Sequence, residues 1–249
     1  MKLIDLSHEF KLPMPVYPGD PESELLSIAS IKQDGYADSQ LTSGLHVGTH
    51  IDAPAHMVSG GKTLDQYPLE RFVGHGVLVD ARGRSSITAD LLRDVELTAG
   101  DVVLVLTEWS QWYHPSDVIP DANTVRDPKS SKTWIPGQAR DDTAAKYFTH
   151  YPVVTESFAD RLIQAEVSLV GFDTPSPDAF TSDDELADRG SAEGLYPIHH
   201  QLFEADILIA ENLNQLDQLA NISEFEVIAL PSKLAANAAP ARVIARVPR

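Results

Sequence analysis

Four side chains able to hold a divalent ion fall within eleven residues, His46-Val-Gly-Thr-His50-Ile-Asp52-Ala-Pro-Ala-His56. On a helix, His46 and His50 would share a face while Asp52 lay on a far side. On a strand, all four even-numbered positions point the same way, and His50 and Asp52 sit roughly 6–7 Å apart at the backbone. An imidazole and a carboxylate at that separation reach one ion. Full extension would put His46 about 33 Å from His56, too far for a single site. The chain must therefore bend, and Gly48 and Pro54 stand where bends are needed. A lone buried histidine is ordinarily a hydrogen-bonded core residue. Three of them with an aspartate indicate a metal site, and neutral imidazole with carboxylate oxygen suits zinc or manganese.

A second cluster extends the first. In the segment Tyr196-Pro-Ile-His-His-Gln-Leu-Phe-Glu-Ala-Asp-Ile-Leu-Ile-Ala-Glu211, His199 precedes an apparent helical turn. Glu211 ends a strand, where open α/β sheets expose functional side chains. Both are expected to face the same cleft as the first run.

The elements that must position these residues are short. Apolar runs at Val77–Ala81, Val102–Leu106, Val167–Phe172, Ile207–Ala210, Val227–Leu230 and Val243–Val247 read as strands. Helices are expected from a Thr88 cap through Val95, from a Thr155 cap through Ala165, and over Leu213–Ala220. Strands alternating with helices give an α/β domain with a mixed sheet and flanking helices. Pro115–Lys146 is polar and long for a connection, and reads as a lid or interface arm. Thr174–Gly194 is acidic and contains Gly, Ser and Pro, and its run Asp183-Asp184-Glu185 reads as a solvated face. Strand–helix alternation resumes after each stretch, so residues 1–249 form one domain.

Bulk composition narrows the chemistry. Asp and Glu number 37 against 19 Lys and Arg, a formal charge of −18. So acidic a surface repels phosphate backbones and excludes nucleic acid as a partner. A carboxylate-bearing small substrate stays compatible, because bound dications dominate the field in their own pocket. There is no cysteine, which excludes thiolate sites and leaves His, Asp and Glu as ligands. The opening MKLIDLSHEF lacks the apolar stretch of a signal peptide, and no run approaches about 18 apolar residues. No membrane partner and a cytoplasmic location are therefore expected. No G-x-S-x-G elbow, P-loop or G-x-G-x-x-G fingerprint occurs.

The run HVGTHIDAPAH resembles the signature of the cyclase family, the metal-dependent hydrolases that include bacterial kynurenine formamidase and isatin hydrolase. The resemblance extends over nearly the whole chain. Pro15–Asp20 (PVYPGD) is similar to the family's N-terminal segment, and Asp173-Thr-Pro-Ser176-Pro-Asp178 looks like its D-T-x-S-x-D loop. The twelve-residue spacing from His199 to Glu211 matches as well, and Ile228–Ala245 resembles the closing strands. The resemblance implies the swivelling β/β/α cyclase fold, with Pro115–Lys146 as an insertion and a homodimer or homotetramer as the assembly. It also implies one or two ions, Zn2+ or Mn2+. His46 and His50 would bind one ion, Asp52 and Glu211 would bridge two or serve one, and His199 would bind the second. His56 would be the acid/base. Tyr17 falls where formamidases of the family often carry a pocket-lining tryptophan. Thr107-Glu108-Trp109 stands where the family commonly has glycine between Thr and Trp.

The implied activity is hydrolysis of an amide C–N bond, arylformamidase-like, turning N-formylkynurenine into kynurenine and formate. A divalent ion brings the pKa of bound water from about 15.7 towards about 7, and His56 would pass a proton from that water to the leaving amine. The closest rival is a cyclic amide or lactone hydrolase resembling isatin hydrolase. A non-catalytic metal-binding protein is the rival from another class, and His56 argues against it, because metal storage needs no acid/base.

Overall fold

The computed structural model describes residues 1–113, 147–181 and 194–248. The segment Pro115–Lys146 and the run Asp183-Asp184-Glu185 lie outside the described residues. The strands, in chain order, begin with β1 (Lys2–Asp5), β2 (Glu24–Ala29), β3 (Asp38–Thr42), β4 (His50–Asp52), β5 (Val73–Asp80) and β6 (Ser86–Ile87). They continue with β7 (Val102–Leu106), β8 (Val153–Val154), β9 (Leu169–Phe172), β10 (Leu208–Glu211), β11 (Glu226–Pro231) and β12 (Ala238–Val247). The described α-helices are α1 (Ile31–Asp34), α2 (Glu156–Gln164) and α3 (Pro197–Glu204).

Eight strands form one mixed sheet in the order β1-β12-β11-β5-β7-β9-β10-β4, and a further pairing of β4 with β12 closes it into a barrel. The middle of the sheet, β5-β7-β9-β10, is parallel, and the flanking pairs are antiparallel. Alternation along these strands sorts the core into two layers. Leu104, Leu169, Leu208, Ala210, Val227, Val243 and Ile51 pack in one cluster inside the barrel. Val103, Val105, Val170 and Ile209 face the other way, onto Phe158 and Leu162 of α2 and Leu202 and Phe203 of α3. A single mixed sheet with flanking helices thus matches the fold class read from the sequence.

Thr155 stands at the N-cap position of α2 as expected, but its hydroxyl donates to the Ile87 carbonyl and does not cap the helix. Two strands start later than their apolar runs suggest. Val167 and Ile207 donate to Leu162 and Leu202, closing the ends of α2 and α3, and each follows a left-handed residue, Glu166 (φ 56°) or Asp206 (φ 61°). The helix expected from Thr88 through Val95 is one 3-10 turn, Ala89–Leu92. The helix expected over Leu213–Ala220 shrinks to a 3-10 turn at Leu216–Leu219. Its first residues are committed elsewhere: Leu213 donates to Phe172 and Asn214 to Leu6. Leu213 forms an isolated bridge with Ser7, and Gln215 lies in the left-handed region at φ 56°, so helical backbone begins only at Leu216.

The two-stranded β2–β3 hairpin stands apart from the barrel. Leu25, Leu26, Ile28 and Leu41 on its strands are exposed, as are Ile31 and Tyr36 at its tip. Neither face shows clean alternation, so the sequence pattern did not announce it. No described helix is long and apolar enough to cross a membrane.

Candidate metal centre

Strand β4 carries the heart of the site. Ile51 points into the barrel, so His50 and Asp52 point out towards α3. Before β4 the chain turns at Gly48, in the left-handed region at φ 70°. A side chain there would press on Met14 Cε at 3.0 Å. After β4, Pro54 opens a 3-10 turn over Pro54–His56 that brings His56 back beside His46. Their ring centroids lie 4.1 Å apart. The bends demanded by the spacing are where glycine and proline stand.

β10 completes the arrangement from the neighbouring strand. The antiparallel register sets Glu211 opposite His50 and Ile209 opposite Asp52. Paired residues share a face, so Glu211 also points towards α3. His199, in the first turn of α3, meets it with Nε2 3.2 Å from Glu211 Oε1. His50 Nε2 lies 3.4 Å from both Asp52 Oδ1 and Glu211 Oε2, and His46 Nδ1 lies 2.9 Å from Asp52 Oδ1. All six residues singled out in the two clusters therefore converge.

Asn212 and Thr49 hold the two strands in place. Asn212 Nδ2 donates to the Gly48 carbonyl at 3.1 Å, and Thr49 Oγ1 donates to the Asn212 carbonyl at 2.6 Å. The Gly48 carbonyl also accepts from His50 Nδ1 at 2.8 Å. A carbonyl can only accept, so Nδ1 carries a hydrogen and Nε2 is the nitrogen that faces the carboxylates.

A further contact carried no signal in the sequence. Asn237, just before β12, donates from Nδ2 to His46 Nε2 and to His56 Nδ1, each at 3.2 Å. With Nδ1 of His56 accepting, its hydrogen sits on Nε2. Nothing in sequence spacing links positions 56 and 237. Only closure of the barrel does so, as Ala53 N donates to the Asn237 carbonyl at 2.8 Å.

The electrostatics suit a cation. Burial alone would depress the His50 imidazole, but Asp52 and then Glu211 outweigh it and hold it well above its usual range. Burial would likewise raise Asp52, yet His50 and His46 keep it well below the usual carboxylate range. His199 is raised to about 10 against its burial, chiefly by Asp178 and Glu211. His56 behaves oppositely: burial pushes it down to about 4, opposed by Asp52 and assisted by His46 and His199. It is thus neutral near pH 7.

The donor set fits a metal. His50 Nε2, both Asp52 oxygens and Glu211 Oε1 are buried without a well-aligned hydrogen bond, held only by ion-pair contacts among themselves and with His46 and His199. Such atoms cost about 1–3 kcal/mol each when left unsatisfied, and here they are directed at one another. Ligand atoms of His50, Asp52 and Glu211 lie within 4.8 Å of one another, as do those of His46, Asp52 and His56. Nitrogen and carboxylate donors without sulfur suit zinc or manganese equally.

Aromatic side chains wall the approach. Tyr17 is half-buried, with its ring 5.8 Å from Phe148 and 5.6 Å from Phe180. Burial, the neighbouring Tyr196 and the Glu211 carboxylate all push its hydroxyl pKa upward. Phe203 lies edge-on to His56 at 6.5 Å. Phe148, Phe180 and Tyr196 carried no signal in the sequence, because isolated aromatics read equally well as core.

Sequence and shape comparisons agree with this architecture. The family described as Putative cyclase matches residues 4–179, and the chain belongs to that family. A kynurenine formamidase from Salinibacter ruber (strain DSM 13855 / M31) is 31% identical over 252 residues, spanning 99% of this chain and 98% of the relative. A solved structure described as a potential metal-dependent hydrolase with cyclase activity is 26% identical. It aligns over 100% of this chain and 98% of its own, with a TM-score of 0.66. An isatin hydrolase bound to the product analogue thioisatinate shares the fold at 22% identity, with a TM-score of 0.75 over 100% of this chain and 93% of that one.

Proposed function

We propose that this chain is a metal-dependent hydrolase of amide C–N bonds, acting as an arylformamidase that converts N-formylkynurenine to kynurenine and formate. The observation that carries it is the set of buried donors on His50, Asp52 and Glu211 that lack a well-aligned hydrogen bond, beside a neutral His56. The full-length similarity to a kynurenine formamidase supports the substrate class.

His46, His50, Asp52, Glu211 and His199 would hold one or two ions, Zn2+ or Mn2+. Such ions supply a nucleophilic water at neutral pH and polarise the substrate carbonyl. His56 accepts a proton from the attacking water and returns it to the leaving nitrogen. In the neutral ring the lone pair is at Nδ1, so the Asn237 amide there would have to yield to the incoming proton, while Nε2–H can donate. Tyr17, Phe148 and Phe180 provide flat apolar surface for an aromatic ring. The carboxylates of Asp52 and Glu211 would balance the cationic charge.

A homodimer or higher symmetric assembly accompanies this reading. An isolated two-stranded hairpin is marginal in water, and β2–β3 exposes Leu25, Leu26, Ile28 and Leu41. A second copy of the chain is the occupant that covers it. Sedimentation showing a monomer across the working concentration range would overturn that assignment.

The activity is tested by hydrolysis assays of metal-reconstituted protein over N-formylkynurenine, isatin and simple lactones. Formate release from N-formylkynurenine in preference to the cyclic substrates is expected. Preference for isatin makes the chain a cyclic amide hydrolase, and loaded protein inert on all three defeats the proposal.

A further inference from the structure

Asp178 lies outside both ligand clusters, yet its carboxylate makes the shortest contact to any candidate ligand. Its Oδ2 is 2.6 Å from His199 Nδ1. The same oxygen accepts from His199 N at 3.0 Å, and Oδ1 accepts from Ile198 N at 2.8 Å. Asp178 and His199 are both buried. We propose that Asp178 is a positioning residue that makes His199 a preformed metal ligand, fixing which nitrogen faces the ion and how tightly the His199–Glu211 half of the site holds it. The inference rests on reading the site as a metal centre.

The chemistry follows from what each atom can do. A carboxylate accepts and does not donate, so the hydrogen on Nδ1 of His199 is held by Asp178. Nε2 is left facing Glu211 Oε1 at 3.2 Å, the only ring nitrogen from which an ion can displace a proton. A charged acceptor on the far nitrogen also raises the basicity of the ligating one, and loss of such a partner typically weakens metal binding 10–100-fold.

The carboxylate is itself held rigidly. Asp178 N donates to Ser176 Oγ at 3.1 Å, and Tyr151 donates its hydroxyl to the Asp178 carbonyl at 2.5 Å. Thr174 Oγ1 donates to the Ser176 carbonyl at 3.0 Å. The turn after β9 is therefore bolted to α3 through a single side chain. Two of the three bonds made by that side chain cap the helix, so capping alone must be separated from orientation of the imidazole.

Two substitutions make the separation. Asp178→Asn places an amide NH2 against at least one of the N–H groups that the carboxylate accepted. Asp178→Ser retains an oxygen of the kind that caps helices but has no carboxylate for Nδ1. Stripped full-length wild type and both variants are titrated with Zn2+ against a chromophoric chelator, with elemental analysis for stoichiometry and circular dichroism for fold. Both variants are expected to fold and to bind the ion at His199–Glu211 10–100-fold more weakly. Wild-type affinity in Asp178→Ser would reduce Asp178 to a helix cap and overturn the proposal. If neither variant folds, 15N spectra of the zinc-loaded wild type decide. Hydrogen on Nδ1 of His199 upholds the proposal, and hydrogen on Nε2 overturns it. Normal uptake with unchanged affinity in the variants removes only this inference, whereas a wild type that takes up no ion removes the metal reading and this inference together.

Discussion

Glu211 faces His50 directly across the antiparallel β10–β4 pair, and their side chains approach to 3.4 Å on the outer face of the barrel. Residues 161 positions apart in sequence become hydrogen-bonded neighbours, so one ladder step sets the spacing of two candidate ligands. A slip of one residue in that register would send Glu211 into the apolar barrel interior.

On the proposed reading, binding and proton transfer separate at His50 and His56. His50 points Nε2, without a well-aligned hydrogen bond, at Asp52 and Glu211, so His50→Ala should lose metal and activity together. His56 is held by Asn237 at Nδ1, and His56→Ala should keep its metal while turnover falls about 10²–10⁴-fold. Metal stoichiometry measured beside steady-state kinetics checks both. Loss of metal in His56→Ala would make His56 a ligand and assign the proton to another group.

Glu108 occupies the left-handed region at φ 65°, at the position where the family commonly has glycine. A non-glycine residue there costs about 1–2 kcal/mol. Its exposed contact with Arg82 at 3.3 Å is screened by solvent and offsets little of that cost. Glu108→Gly should therefore stabilise the fold by about 1 kcal/mol, raising Tm by roughly 2–4 °C. Calorimetry of the two proteins measures this, and a lowered Tm would mean that the Arg82 contact outweighs the backbone strain.

Asp206 gives a pH dependence of defined sign. Burial would raise its pKa, but bonds from Lys62 and Tyr67 and the charge of Arg71 outweigh burial and hold it below the usual carboxylate value. A carboxylate depressed on folding contributes stability that is present above its unfolded pKa of about 3.9. That contribution disappears as pH falls through the lower folded value. Asp206→Asn keeps a residue type tolerant of the left-handed backbone, so the comparison isolates charge. The variant should melt below wild type at pH 7, and the gap should close below pH ~4. A gap that persists at low pH would trace the loss to geometry instead.

The first ligand cluster was legible because its information is local. A period of two across His50 and Asp52, broken by Gly48 and Pro54, states both the strand and its bends. Glu211 was legible as the terminus of an apolar run. Asn237 was not, since its link to His56 exists only once β4 pairs with β12. The helix expected over Leu213–Ala220 failed for a related reason. Local apolar spacing favoured it, but Leu213 is bridged to Ser7 and Gln215 takes a left-handed backbone, and tertiary contacts override propensity. The β2–β3 hairpin went unseen because neither face is buried within one chain, and pattern is a record of burial.

β4 is only three residues long, yet it bridges β10 and β12 and carries His50 and Asp52. One short element thus serves as both clasp and ligand platform. If His50 and Asp52 hold the ion as proposed, its release rate should carry the steep temperature dependence of local unfolding of the clasp rather than that of simple dissociation. Kinetic retention of the ion would in this sense be a property of the barrel's shortest strand.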